Sequence, residues 1–218
     1  MLFKIGVLIY GYFAGALIQA GYWMGKFNKI DIRDYGSGNA GTTNVMRTLG
    51  KKAGIATYLL DAFKAVIADI LIHFLIVPHT SVPEMLLFLY CGLGIVLGHN
   101  FPFYLGFRGG KGIAATSGMI IGLWDWRLVV ILLVAFIISV VVTRYVSVGS
   151  LTIMIGFFIL YTIFAIHGDY NFTSNAKMIE GIVLAGVIAG MAVIRHLPNI
   201  KRLIAGTENK LSFGSKTA

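Results

Sequence analysis

The amino-acid sequence predicts an all-α protein, a polytopic membrane bundle of about seven transmembrane helices with its N-terminus outside and its C-terminus in the cytoplasm. The 218 residues are 57% hydrophobic and only 12% charged, whereas soluble domains carry about 25% charged residues. Apolar runs recur along almost the whole chain, and about 20 helical residues cross a hydrocarbon core. No soluble domain is left over, so residues 1–218 are expected to form a single integral membrane domain.

Seven apolar segments account for the predicted helices. The first contains no proline and is followed by no soluble domain, so it is interpreted as a membrane helix and not as a cleaved signal peptide. Pro78 ends the second and Pro83 opens the third. The fourth is short for a full crossing. In chain order the segments are 2–24, 54–77, 83–100, 113–124, 128–143, 146–166 and 178–194.

The positions of the cations predict which loops face the cytoplasm. With the N-terminus outside, the polar segments 25–53, 99–112 and 195–210 fall on one side of the membrane. Cytoplasmic loops carry an excess of Lys and Arg. Only Lys4, Arg127 and Lys177 fall on the far side, and Lys64 lies within a helix. The other cations, all on the predicted cytoplasmic side, are Lys26, Lys29, Arg33, Arg47, Lys51, Lys52, Arg108, Lys111, Arg144, Arg195, Lys201, Arg202, Lys210 and Lys216.

The formal net charge of +9 is not interpreted as a sign of nucleic-acid binding. The cations lie at the ends of apolar spans, where they set topology and attract anions or lipid headgroups. The phospholipid bilayer is therefore an expected partner, and nucleic acid is not. The single cysteine, Cys91, lies in an apolar run, which excludes an internal disulfide and predicts a small packed side chain.

The first polar segment contains GSGNAGTTNVMR, residues 36–47, whose chemistry exceeds what a simple connection needs. Glycines let backbone N–H groups approach a ligand, and hydroxyl and amide side chains add further donors. Arg47 supplies a planar fork suited to phosphate or carboxylate. The pattern predicts an anion-binding loop, although Ser37 taken alone is equally typical of a turn. The candidate ligand-binding residues are Ser37, Gly38, Asn39, Gly41, Thr42, Thr43, Asn44 and Arg47.

The second polar segment, HNFPFYLGFRGGKG at 99–112, places Lys111 among Gly109, Gly110 and Gly112, just before an apolar helix. Free N–H groups at a helix start and a nearby cation favour a phosphate. Gly112 stands where a Walker A loop has Ser or Thr, so the segment is not that motif. A plain basic turn is the alternative explanation.

The third polar segment, RHLPNIKRLIAGTENK at 195–210, supplies the candidates Arg195, His196, Asn199 and Arg202. His196 alone is also typical of a residue that caps a helix or meets lipid headgroups. Three segments delivered to one membrane face can close a single site, and hydrogen bonds to charged groups contribute about 1.5 to 3 kcal/mol each. Together they predict a site that handles phosphate.

Two charges within the second predicted helix allow two interpretations. Asp61 and Lys64 are spaced i, i+3 and can pair on one face. Charge within a membrane span costs about 2.5 to 3.5 kcal/mol per residue, which favours a face turned to the protein interior. The pair is either a structural ion pair that orients the helices or a support for the polar site from behind.

The chemistry that the sequence lacks narrows the reaction. No histidine begins an HxxxxD pattern, no GxSxG elbow presents a nucleophile, and no Cys/His cluster suits zinc. Asp31 and Asp34 form one DxxD with Arg33 between them, which favours a solvated loop over a Mg²⁺ site. The sequence therefore favours direct transfer from an activated donor, with no cofactor and no metal.

The three segments together resemble the signature loops of the bacterial acyl-phosphate-dependent glycerol-3-phosphate acyltransferases. The resemblance takes in order, spacing and size over essentially the whole chain. It implies acyl transfer from acyl phosphate to the 1-hydroxyl of glycerol 3-phosphate, giving lysophosphatidic acid and phosphate in phospholipid biosynthesis. It further implies a multi-pass protein of the bacterial inner membrane with its active site facing the cytoplasm and no obligatory protein partner. The family pattern would place the threonine one position before Thr116.

The resemblance also implies residue roles. Ser37, Arg47, Lys111, His196 and Asn199 would hold glycerol 3-phosphate. Thr43, Asn44 and the backbone of Gly109 and Gly110 would surround the acyl phosphate. The donor's own phosphate could take the hydroxyl proton, so that no general base on the protein is needed.

Three other functions stay open on the sequence alone. A transporter for a phosphorylated solute would place its site near mid-depth in broken helices of repeated halves, and this chain shows no convincing repeat. A noncatalytic lipid-binding protein would need the basic loops but not their order of Gly, Ser, Asn and Thr. A transferase that uses acyl-CoA differs only in its donor.

Overall fold

The structure is a computed structural model that describes residues 1–211. Lys216, one of the cations assigned to the cytoplasmic side, lies outside these residues. Within them the protein is all-helical, as predicted, and contains ten α-helices and no strand. The helices are α1 (Leu2–Leu17), α2 (Ala20–Phe27), α3 (Thr42–Leu49), α4 (Lys51–Leu75), α5 (Glu84–Asn100), α6 (Ile113–Gly122), α7 (Trp126–Thr143), α8 (Val146–His167), α9 (Asn175–Arg195) and α10 (Leu197–Ile204).

The described residues contain five helical stretches that are long and apolar enough to cross a membrane. They are Leu2–Phe27, Glu84–Leu105, Trp126–Thr143, Val146–His167 and Asn175–Arg195. Helix α4 has 25 residues but carries buried charges. Helix α6 has 10 residues, a length of about 15 Å that is half of a hydrocarbon core. The count of seven crossings and the orientation of the termini stay predictions.

The first predicted helix is interrupted. Helix α1 ends at Leu17 and α2 begins at Ala20, because the buried side chain of Gln19 replaces helical hydrogen bonds. Its Nε2 donates to Gly15 O at 3.0 Å and to His99 O at 3.1 Å. The break leaves the backbone carbonyl of Ile18 available to other side chains.

Two helices lie inside segments that the sequence analysis treated as loops. Helix α3 covers the second half of the motif at 36–47 and continues to Leu49, and Gly50, with φ of 92°, both ends it and starts α4. Helix α10 begins directly after His196 with Pro198 in its first turn, a position where proline costs no hydrogen bond. Both helices therefore present side chains in fixed directions that a flexible loop could not hold.

Close contact between α1 and α5 forms the centre of the bundle. A Cβ atom at Gly11 or Gly15 would overlap the backbone of α5, and one at Gly94 or Gly98 would overlap the backbone of α1. Small residues let membrane helices approach in this way. Cys91 is fully buried at this contact, as predicted. Helix α4 packs on α6, and α9 packs on α5 and α8.

Candidate active site

A cavity of about 190 Å³ brings together residues from all three polar segments. Three cations, Arg47, Lys111 and Arg202, line it. Twelve of the candidate residues line the cavity, namely Ser37, Asn39, Gly41, Thr42, Thr43, Asn44, Arg47, Lys111, Gly112, His196, Asn199 and Arg202. Four do not: Gly38, Gly109, Gly110 and Arg195.

The first segment is shaped by the side chain of Asn44. Its Oδ1 accepts a hydrogen bond from the Ser37 backbone at 2.8 Å, and its Nδ2 donates to Ile32 O and Tyr35 O. Gly36 has φ of 58°, and a Cβ there would collide with Asn44 Oδ1. The amide of Asn44 is thus used within the loop, and its role in ligand binding stays a prediction. It holds Ser37 at the cavity wall.

The glycines of the second segment are required by close packing on His99. The Gly110 N–H donates to His99 O, and the Gly109 N–H donates to Asn100 O. A Cβ at Gly109 would overlap His99 O, and one at Gly110 would overlap His99 Nε2. Both N–H groups are therefore used inside the loop, and the prediction that they cradle a phosphate stays a prediction. Lys111 and Gly112 are the members of GGKG that line the cavity.

Thr116 belongs to the helix and not to the cavity. It is buried, and its Oγ1 donates to Gly112 O at 2.9 Å. Thr116, which lies one position later than the threonine of the family pattern, therefore stabilises the first turn of α6.

Arg195 supports the glycine loop. Its guanidinium donates to Gly110 O at 2.8 Å and to Gly109 O at 3.3 Å. Its Cζ lies 5.3 Å from the centre of the Phe101 ring. Sequence analysis placed Arg195 among the ligand-binding residues. In the structure its Nη2 is directed to the loop backbone, and its role as a ligand-binding residue stays a prediction.

His196 caps the end of α9 and turns into the cavity. Its Nδ1 donates to Ala192 O at 2.7 Å, which fixes the tautomer and leaves Nε2 as the acceptor in the neutral ring. Burial lowers the pKa of His196 to about 4, with the nearby Lys111 acting in the same direction. The imidazole is therefore neutral at pH 7 and can accept a hydrogen bond from a hydroxyl group.

Glu208 lies in the third segment and was not among the residues predicted for the site. Asn199 Nδ2 donates to its Oε1 at 2.7 Å, and Arg202 Nε donates to its Oε2 at 2.6 Å. Burial raises the pKa of Glu208, but these hydrogen bonds outweigh it and leave the pKa below its usual value. The sequence signal for this contact was the presence of a carboxylate, Glu208, six residues after Arg202.

Lys111 lies in a strongly positive electrostatic environment. Burial lowers its pKa to about 8, and the charges of Arg202, Arg195 and Arg47 add to the effect while Glu208 opposes it. Its ammonium donates to Asn199 Oδ1. Like charges held together in this way are relieved by an anion, so the cavity favours a phosphate.

Helices α4, α6, α7 and α8 complete the cavity with residues that lie outside the three polar segments. Ser147 and Ser150 add hydroxyl groups, and Ile113, Phe136 and Val146 make one wall apolar. The predicted Asp61–Lys64 pair is present, with 2.8 Å between Oδ1 and Nζ. Asp61 and His99 reach the cavity itself. A cationic centre beside an apolar wall suits a ligand with a phosphate and a hydrocarbon chain.

Comparison with known proteins agrees with this description. Residues 5–206 match the family described as glycerol-3-phosphate acyltransferase. The glycerol-3-phosphate acyltransferase of Chlorobium phaeobacteroides is 37% identical, covering 98% of this chain and 99% of that protein. The enzyme of the same name from Thermoanaerobacter pseudethanolicus is 39% identical, covering 99% and 98%.

Two solved structures share the fold. A crystal structure of PlsY (YgiH), an integral membrane glycerol 3-phosphate acyltransferase, in its glycerol 3-phosphate form superposes with a TM-score of 0.81 at 31% identity, covering 96% of each chain. Its lysophosphatidic acid form gives a TM-score of 0.78 at 30% identity, covering 96% of this chain and 95% of that one. The chain therefore belongs to the glycerol-3-phosphate acyltransferase family of integral membrane enzymes.

Proposed function

We propose that this acyltransferase moves a fatty acyl group from acyl phosphate to the 1-hydroxyl of glycerol 3-phosphate, giving lysophosphatidic acid and inorganic phosphate. The observation that carries the proposal is the convergence of Arg47, Lys111 and Arg202 on one cavity that also has an apolar wall. Acyl phosphate and glycerol 3-phosphate both carry a phosphate, and one carries a hydrocarbon chain. The bound forms of PlsY, with glycerol 3-phosphate and lysophosphatidic acid, support the acceptor and the product.

Glycerol 3-phosphate is held in this proposal by Ser37, Arg47, Lys111, His196 and Asn199, which all line the cavity. Arg47 and Lys111 pair with its phosphate, and the neutral His196 accepts from a hydroxyl. Thr42, Thr43 and Arg202 stand at the same cavity and surround the acyl phosphate. Thr42 Oγ1 is buried with no partner within residues 1–211, and a phosphate oxygen would provide one.

The reaction needs no nucleophile from the protein. The 1-hydroxyl oxygen bonds to the acyl carbon, the bond from that carbon to the phosphate oxygen breaks, and the departing phosphate takes the hydroxyl proton. The protein contributes by holding the reactants together and by stabilising the developing negative charge. Each contribution lowers a barrier by several kcal/mol.

The site faces the cytoplasm of a bacterial cell in this proposal, at the inner membrane. The excess of Lys and Arg on the three polar segments supports this orientation. The product is then released at the leaflet where the acceptor is available.

A donor comparison tests the proposal. Purified enzyme is given glycerol 3-phosphate with either acyl phosphate or acyl-CoA, and released phosphate and lysophosphatidic acid are both measured. Equal amounts of both products from acyl phosphate, and none from acyl-CoA, support the proposal. Transfer from acyl-CoA would overturn the donor assignment. Counterflow of labelled glycerol 3-phosphate in proteoliposomes without any donor would support transport instead.

A further inference from the structure

Asp61 is a buried carboxylate with one oxygen engaged and the other not. It lies on α4 with 1% of its side chain exposed. Oδ1 lies 2.8 Å from Lys64 Nζ and 3.6 Å from His99 Nδ1. Oδ2 has no hydrogen-bond partner in the described part of the chain. Asp61 lines the cavity that Arg47, Lys111 and Arg202 also line.

The position of this carboxylate is fixed from behind. Lys64 Nζ also donates to Ile18 O at 2.6 Å and contacts His99 Nδ1 at 2.9 Å. The Ile18 carbonyl is available because the helix breaks between α1 and α2. Asp61 Oδ1, Ile18 O and His99 Nδ1 are therefore all directed at the Lys64 ammonium. If Asp61 turned Oδ2 toward the ammonium, Oδ1 would lose its hydrogen bond.

Only a hydrogen-bond donor can be the partner of Asp61 Oδ2. A carboxylate only accepts hydrogen bonds, and a buried one without a partner is unfavourable. Phosphate oxygens would repel it. Hydroxyl groups are the donors that the two proposed reactants offer, and glycerol 3-phosphate carries both of them.

Resting on the proposed function, we infer that Asp61 Oδ2 accepts a hydrogen bond from the secondary hydroxyl of glycerol 3-phosphate. The imidazole of His99 lies between Asp61 and Gly110, the residue before Lys111. In this inference the phosphate is bound at Lys111, and C2 of the acceptor, which carries the secondary hydroxyl, faces Asp61. The primary hydroxyl must instead reach the carbonyl of the donor. Asp61 is thus a substrate-binding residue that selects phosphates of polyols over those of simple alcohols.

The test compares two acceptors in the full-length enzyme. Glycerol 3-phosphate and 3-hydroxypropyl phosphate differ only in the secondary hydroxyl. We expect the wild type to prefer glycerol 3-phosphate in kcat/KM by about 10- to 100-fold, since a hydrogen bond to a charged group is lost with the analogue. In Asp61→Asn the amide oxygen faces Lys64 and an NH2 group replaces Oδ2, so the preference falls at least about fivefold.

A second variant and a control separate substrate contact from folding. Asp61→Leu combined with Lys64→Met removes both buried charges together, which proteins tolerate better than removing one, and the preference should then approach unity. Asp69→Asn changes another fully buried aspartate of α4 that does not line the cavity, and it should keep the wild-type preference.

The outcomes are distinct. A wild-type preference that persists in both Asp61 variants, or a wild type that does not distinguish the acceptors, overturns the inference while the proposed function stands. A wild type that releases no phosphate from acyl phosphate and glycerol 3-phosphate overturns the proposed function, and the Asp61 inference with it.

Discussion

The Lys111 ammonium donates a hydrogen bond to Asn199 Oδ1, although 88 residues separate the two in the sequence. Lys111 comes from the connection between α5 and α6, and Asn199 comes from α10. The contact joins the second and third polar segments at the cavity. Because Asn199 also donates to Glu208, one amide bridges a cation and an anion, and binding of a phosphate at Lys111 must affect the α10 end of the protein.

Removal of either central cation should abolish turnover without unfolding the protein. We expect Lys111→Ala and Arg47→Ala each to lower kcat/KM for glycerol 3-phosphate by at least about 100-fold, because each loses several hydrogen bonds to a phosphate. Arg108→Ala is the matched control, since Arg108 is an exposed cation of the same loop that does not line the cavity. Steady-state kinetics on detergent-purified variants with a single gel-filtration peak measure the effect. Near-normal turnover in either variant would contradict the assigned site.

Activity should fall with rising pH as Lys111 loses its proton. Its pKa is about 8, so the ammonium form that binds phosphate is depleted above that value, whereas the phosphate of the acceptor keeps its charge because its second pKa is about 6. We expect kcat/KM for glycerol 3-phosphate to decrease about tenfold per pH unit above pH 8. Arginine stays protonated, so any activity left in Lys111→Arg should be flat over this range. A wild-type profile that is flat to pH 10 would refute the role of the ammonium.

Much of the fold follows from apolar length, but its interruptions do not. Five of the predicted spans correspond to long apolar helices of the described residues. The break at Ile18 was not predictable, because Gln19 is one polar residue in an apolar run, and its effect depends on carbonyl groups of α5 that lie about 80 residues away. Helix α3 was also missed, since its threonines and its asparagine have low helix propensity.

Residues of the candidate site were predictable where the type of side chain indicates its chemistry. Lys111, Arg47, His196 and Asn199 were predicted and line the cavity. The direction in which a side chain points was not predictable. Arg195 resembles a phosphate ligand in the sequence, yet its guanidinium donates to backbone carbonyl groups. No sequence pattern distinguishes a cation that meets a ligand from one that supports a loop.

Gly110 should tolerate no side chain. A Cβ there would overlap His99 Nε2, and the ring cannot retreat because Lys64 holds its Nδ1. We expect Gly110→Ala to lower kcat/KM at least about tenfold by displacing the loop that carries Lys111, with a loss of about 1 to 3 kcal/mol of stability from overpacking. Gly190→Ala on α9 is the control, because a Cβ there meets nothing within 4 Å. Full activity of Gly110→Ala would show that the loop position does not matter.

Replacement of Glu208 by glutamine should weaken the contact between α10 and the segment that follows it. The carboxylate accepts from Asn199 Nδ2 at 2.7 Å and from Arg202 Nε at 2.6 Å. Since Arg202 is 38% exposed, solvent screening reduces the expected loss to about 1 kcal/mol. We expect Glu208→Gln to have a lower Tm at pH 7 and a raised KM for glycerol 3-phosphate, because Asn199 and Arg202 lose their orientation.

The pH dependence of that Tm difference identifies the carboxylate as its cause. The pKa of Glu208 is lower in the folded protein than in the unfolded chain, so its stabilisation is fully present above about pH 4.3 and is lost as the pH falls through the folded-state pKa. The Tm difference between the wild type and Glu208→Gln should therefore narrow on acidification. Glu180→Gln is the control, because it breaks a comparable 2.6 Å pair with Lys4 away from the cavity; it should lower Tm but leave KM unchanged. An equal rise of KM in both variants would mean that general loosening of the bundle, and not the Glu208 contacts, sets the affinity for the acceptor.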